Sequence, residues 1–126
     1  MCQKATGGLF GPYVSAPTDR FVWTRGSPRR FQSSNKVRRG FCGDCGSPLT
    51  FEFDEASTVG LAIGALDRPG DVRITEQLSS RARVSDFARL AALPEHPEDE
   101  PRAAAHLVSI ASYQHPDHDT VDWTPR

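Results

Sequence analysis

Apolar and polar positions alternate in short bursts through the first half of the chain and shift to a longer period near residue 85. Leu49-Thr50-Phe51-Glu52-Phe53 alternates over five residues, the pattern of a strand with one buried face. Residues 59–63 form a second short apolar run, which Gly64 ends. Phe21-Val22-Trp23 predicts a further strand, closed by the turn formers Arg25-Gly26-Ser27-Pro28, with Arg30-Phe31-Gln32-Ser33 as its hairpin partner. Ala65-Leu66-Asp67-Arg68-Pro69-Gly70 reads as a loop. From Ser85 the spacing suits a helix: Ser85 stands at the cap, Val84, Phe87, Leu90 and Ala91 share one face, and Pro94 stops it. Residues 94–101 carry three prolines and four acids, which predicts a linker. Beyond it, residues 103–113 fit an amphipathic helix with Leu107, Ile110 and Ala111 on one side, while residues 106–110 fit a strand equally well. Residues 114–126 read as a loose tail. The expected class is mainly β, built of short antiparallel strands, with a short helix and a C-terminal extension.

Composition narrows the class without changing it. A chain of 126 residues is about one domain long. Glycine and proline together make 20 residues, roughly 16% against a usual 12%, which favours turns over long helices. No apolar run approaches the ~18 residues of a membrane span, and the opening residues lack the apolar stretch of a secretory signal. No membrane partner is expected. Charge is uneven. Residues 1–50 hold eight Lys/Arg against two acids, a net of +6, and residues 51–126 hold seven Arg against fourteen acids, a net of −7. A basic half can attract anions. The aromatic–basic interleaving of a nucleic-acid module is missing, so the halves are expected to neutralise each other and no nucleic-acid partner is expected.

The candidate chemistry lies in three cysteines, Cys2, Cys42 and Cys45. An odd count without a signal sequence points to the reducing cytoplasm and away from a disulfide framework. In Phe41-Cys42-Gly43-Asp44-Cys45-Gly46 the spacing lets two thiolates reach one tetrahedral zinc ion at about 2.3 Å each. Gly43 and Gly46 suit the bend, since glycine takes positive φ at little cost. A redox dithiol and two unlinked cysteines are the competing readings. A dithiol of the thioredoxin type lies near a βαβ pattern, whereas here Ser47-Pro48 leads directly into a strand, which favours zinc. A structural zinc usually takes four ligands. The remaining candidates are Cys2, His96, His106, His115 and His118. His115-Pro116-Asp117-His118 has suitable spacing but sits in the tail, where solvated histidines are expected.

At this point the residues resemble a family. Cys2-Gln3-Lys4-x-x-Gly7 is followed by Phe21-Val22-Trp23-x-x-Gly26, Ser33-Ser34, Arg39-Gly40-Phe41-Cys42-x-x-Cys45-Gly46-Ser47-x-Leu49, Gly64-x-Leu66-Asp67-x-Pro69 and Leu93-Pro94. In this order the set resembles the glutathione-dependent formaldehyde-activating enzymes, also called the CENP-V/GFA domain, over residues 2–96. Residues 1–96 are accordingly expected to form the family domain, with residues 97–126 a linker and extension. The resemblance implies a zinc-binding β-tent fold with two zinc sites. Cys42 and Cys45 would be half of the structural site, completed by a Cys-x-Cys pair near the family's N-terminus. Cys2 matches the last of three cysteines that hold the catalytic zinc. The family's first strands and the other cysteines would precede Met1, so the domain is expected to be incomplete at its N-terminus, through a late start or through loss of its sites.

The implied activity is that of a zinc-dependent carbon–sulfur lyase joining glutathione to formaldehyde as S-(hydroxymethyl)glutathione. A free thiol is only about 3% thiolate at pH 7, and zinc deprotonates a bound thiol outright. Surface solvation is the expected role of Lys4, Arg25 and Arg39, with the carboxylates of glutathione as the alternative partner for each. The alternative is a non-catalytic zinc-binding or interaction module that keeps only the fold. The oligomeric state is not legible in the residues.

Overall fold

Five short strands make one antiparallel sheet in the computed structural model, which describes residues 1–94, 105 and 107–125. A short helix, α1 (Cys2–Thr6), precedes β1 (Tyr13–Pro17), β2 (Arg29–Gln32), β3 (Val37–Phe41), β4 (Pro48–Phe53) and β5 (Thr58–Ala62). The spatial order is β1-β5-β4-β3-β2. Strands β2 to β5 run as a meander, each paired antiparallel with its sequence neighbour. The first strand closes the far edge against the last, Tyr13 opposite Ala62 and Pro17 opposite Thr58. The mainly β expectation holds. Among the described residues no helix is long and apolar enough to cross a membrane.

Two of the expected strands appear with nearly the expected ends, β4 and β5, and the Arg30 segment forms β2. The Phe21-Val22-Trp23 strand does not form. Its aromatic rings stack edge to face on each other, centroids 5.0 Å apart, and Val22 points into solvent. The hairpin partner of β2 is β3 instead. The helix expected from Ser85 is a run of tighter 3₁₀ turns over Ser85–Ala92, with Val84 in the cap position and no side-chain cap. Helices of this length depend on burying an apolar face. Here Leu90 and Val84 stay exposed, and the named ring contact is Phe87 against Phe10, edge on at 5.4 Å. Ala105, Leu107 and Val108 are helical, which removes the strand alternative over residues 106–110 at Leu107 and Val108. The linker expected over residues 94–101, apart from Pro94, lies outside the described residues, as do His96 and His106.

The core is small and sits on both faces of the sheet. Val37, Val59 and Ala62 are its buried apolar residues, joined by Thr50 and Arg39. Register assigns the faces, because residues paired across an antiparallel ladder point the same way. Phe31, Arg39, Phe51 and Gly60 are paired in a row, so one face carries Phe31, Arg39 and Phe51. Tyr13 and Phe53 join them through ring contacts with Phe51 at 5.5 and 5.0 Å. The opposite face carries Arg38, Glu52 and Val59 in one row and Thr50 and Leu61 in the next.

Candidate functional site

The turn between β3 and β4 holds the paired cysteines. Cys42 N–H donates to the Ser47 carbonyl at 2.9 Å, and Gly46 N–H donates to the Cys42 carbonyl at 3.0 Å, so residues 42–47 close on themselves. Gly46 supplies the left-handed corner at φ 77°. Gly43 does not take positive φ, contrary to expectation. Its missing Cβ instead makes room for Arg29, whose Nε would lie 3.1 Å from it. Cys45 Sγ and Ser47 Oγ are 3.2 Å apart. The Ser47 hydroxyl first, then the Ser47 backbone amide, hold the Cys45 thiol below its ordinary value, and the Cys42 side chain adds to this. Hydrogen bonds to sulfur favour the charged form of a thiol.

Cys2 lies elsewhere, on α1, against the aromatic face of the sheet. Gly11 brings the loop before β1 close to it: a Cβ there would stand 2.6 Å from the Tyr13 ring and 3.2 Å from Cys2 Cβ. Arg39 is the hub of this corner. Its Nη2 donates to Cys2 Sγ at 3.4 Å, its Nη1 donates to Tyr13 Oη at 3.1 Å, and its guanidinium lies over the Phe51 ring at 4.9 Å from the centroid. Arg39 is 7% exposed and its Nε has no hydrogen-bond partner. Burial pushes the Tyr13 phenol above its ordinary value against the opposing pull of Arg39, so Tyr13 is neutral at physiological pH. Beside this cluster a cavity of about 310 Å³ is lined by Ala5, Tyr13, Phe31, Arg39, Phe41 and Pro48, among others.

Fit to zinc can be tested on these contacts. The Cys42–Cys45 turn presents two neighbouring thiols, with an amide and a hydroxyl turned toward one sulfur. That suits two ligands of a four-ligand site. Among the described residues no group of three or more His, Cys, Asp or Glu side chains could hold a metal. The residues present therefore offer two neighbouring thiols in one turn and a third, separate thiol at Cys2. The tail histidines join neither: His115 Nε2 meets Arg25 Nη2 at 2.5 Å and Thr120 Oγ1 at 2.9 Å, and His118 is exposed. His115 is thus engaged by Arg25, not solvated as expected.

Tyr13 was not singled out by the sequence, and Arg39 was read as one of three solvated or anion-facing cations. A signal for Arg39 existed. In Val37-Arg38-Arg39-Gly40-Phe41 it alternates in phase with Val37 and Phe41, which places it on their face. Lys4 and Arg25 stand apart from the cluster: Lys4 is exposed, and Arg25 turns to the tail, where it pairs with Asp119.

Comparison with protein-family models matches residues 1–82 to the glutathione-dependent formaldehyde-activating enzymes. The chain belongs to that family. The match covers the sheet, α1 and the Cys42–Cys45 turn, and ends before the 3₁₀ turns of Ser85–Ala92. No curated protein and no solved structure matches the chain.

Proposed function

We propose that this protein joins a glutathione-like thiol to formaldehyde in the cytoplasm, with Cys2 a ligand of a catalytic zinc and Cys42 and Cys45 ligands of a structural zinc. Family membership over residues 1–82 supports the reaction class. The observation that carries the reading to this chain is the place of Cys2. It is held by Arg39, and Arg39 lines the cavity on the aromatic face. In the reaction the thiol sulfur bonds to the aldehyde carbon, the carbon–oxygen π bond opens, and the thiol proton ends on the new hydroxyl. The sum is an addition, so no oxidant or reductant is consumed. When bound, zinc would favour the thiolate and polarise the aldehyde oxygen. The chain's own residues orient and exclude water: Arg39 fixes the Cys2 side chain, and Phe31, Phe41 and Pro48 give the cavity apolar walls.

A second reading, a module that binds zinc or a partner without catalysis, rests on the Cys42–Cys45 turn, which closes on itself with no contribution from Cys2. The two separate cleanly. Native mass spectrometry of the purified protein counts zinc per chain, and exchange NMR follows the rate at which glutathione and formaldehyde interconvert with their adduct. On the lyase reading Cys2→Ser abolishes the rate enhancement while the melting temperature holds, and Cys42→Ser lowers the melting temperature. If Cys2→Ser leaves the rate unchanged, the lyase assignment fails and the module reading stands.

A further inference from the structure

Among the described residues the sheet ends in two open edges, and they differ. Strand β1 is bounded by Pro12 before it and Pro17 at its end, and proline cannot donate to a further strand. Strand β2 holds no proline, all four of its residues are exposed, and Phe31 is 64% exposed. Its outward backbone groups follow from two hydrogen bonds. Gly40 N–H donates to Thr50 Oγ1 on the β4 side of β3, and Ser33 N–H donates to the Val37 carbonyl at 2.9 Å, across the β2–β3 ladder. Sides alternate along an antiparallel strand. Phe31 therefore bonds inward to Arg39, while Arg30 and Gln32 present their N–H and C=O groups to the open side. Such an edge is a template for another strand, and charged side chains on it usually prevent the pairing. Here both arginines turn away from the edge. Arg30 Nε reaches Glu52 at 3.3 Å, and Arg29 lies along the cysteine turn, its Nε 3.1 Å from the position a Cβ on Gly43 would take.

We propose that β2 is a dimer interface, on which β2 of a second copy of this chain pairs antiparallel across a twofold axis through Phe31. In such a pair the outward-facing residues exchange the hydrogen bonds, so Arg30 and Gln32 must meet their counterparts in the other copy. An axis through Arg30 would set two like charges opposite each other. An axis through Gln32 would set Phe31 against Ser33. The axis through Phe31 sets Arg30 opposite Gln32 twice and Arg29 opposite Ser33. It also brings the two Phe31 rings together at a position without hydrogen bonds, where cross-strand side chains are closest. The contact is isologous and closes after two copies. Charge does not oppose it. Glu52 and Asp54 hold Arg30 and Arg38, and the chain has a net charge of −1. Phe31 also lines the cavity beside Arg39, so in the dimer the ring of the second copy stands against that wall. Four residues on each side are few against the roughly 20–30 of a standard interface, which makes the dimer weak and dependent on concentration.

Sedimentation velocity on the full chain between about 10 µM and about 1 mM, the range of weak association, tests the interface. The weight-average mass is expected to climb from 13.8 kDa toward twice that value. Amide exchange at Arg30 and Gln32 is expected to slow as concentration rises, while Phe31, bonded within its own chain, keeps its rate. Phe31→Lys sets two ammonium groups on the axis and is expected to abolish the climb. Gln32→Glu sets a carboxylate opposite Arg30 of the second copy, twice per dimer, and is expected to tighten association at least about threefold. A mass that stays at one chain up to the highest concentration overturns the proposal. So does a dimer in which the Arg30 and Gln32 amides keep their exchange rates, because it forms through another face. Unchanged association of Phe31→Lys, or no tightening in Gln32→Glu, overturns it as well, since the axis then lies elsewhere. Should Phe31→Lys fail to fold, exchange in the original protein and the Gln32→Glu comparison still decide.

Discussion

Tyr13 shows how one residue couples burial to the stability of the whole sheet. Its ring packs on Phe51, and burial holds it as a neutral phenol above its ordinary value of 10.0, although Arg39, which donates to its hydroxyl, pulls the other way. The unfolded chain releases the phenolic proton first, so the contribution is fully present below about pH 10 and is lost as pH rises through the higher folded value. Thermal melts between pH 8 and 11 should show stability falling above pH 10, and Tyr13→Phe should flatten that fall. An identical slope in the variant would show that other groups carry it. Arg39 belongs to the same scale. Its alternation with Val37 and Phe41 was visible in the residues, but its burial was not, because a guanidinium inside depends on a phenol, a thiol and a ring brought from three distant segments.

Among the elements, β3 and β4 carry the cysteine turn, and one side chain sets their junction. Gly40 pairs with Thr50, but Phe41 pairs with Pro48, so the register shifts between Gly40 and Phe41. Such irregularities re-aim the strand end beside a site. The Gly40 N–H donates to Thr50 Oγ1 at 3.1 Å, and the Thr50 hydroxyl donates to Glu52 Oε1 at 2.7 Å. Thr50 is 2% exposed. Thr50→Val keeps the shape and removes both bonds, leaving a buried donor unpaired at a cost of about 1–3 kcal/mol. Urea unfolding should show a lower midpoint, and faster hydrogen exchange at Gly40 should locate the loss. Unchanged exchange at that amide would contradict this account of the junction. β4 and β5 were legible because each alternates or runs apolar with a glycine or turn at its end. β1 and β3 were not, since Tyr13–Pro17 ends in proline and Val37–Phe41 holds two arginines. Their pairing partners, not their composition, make them strands.

Over the whole molecule the basic and acidic halves meet across the tail. Arg25 donates to Asp119 Oδ1 at 3.2 Å, to Thr120 Oγ1 at 3.1 Å and to the Thr120 carbonyl, and it meets His115. Gln114 Nε2 donates to Ser47 Oγ at 3.3 Å, beside Cys45. Residues 114–125 form no helix or strand, yet they lie against the Arg25 loop and the cysteine turn; the expectation of a loose tail holds only for their lack of regular structure. The Arg25–Asp119 pair is 44% and 90% exposed, so it adds at most about 1 kcal/mol and weakens with salt. Arg25→Ala should therefore leave the melting temperature nearly unchanged while raising hydrogen exchange at residues 115–120. A large drop in melting temperature would mean that the tail supports the sheet.

The amino-acid order alone determined the strand-rich class, the family and the Cys42–Cys45 turn, because alternation, glycine position and cysteine spacing are local properties. It also determined that the charges divide by half. Tertiary structure alone decided that β1 closes the sheet on β5, that Arg39 rather than Lys4 or Arg25 stands at the cavity, and that Cys2 meets Arg39. Those outcomes depend on which distant segments share a face of the sheet. Burial, pairing and the balance of a charge arise only when such segments meet, and no local pattern records them.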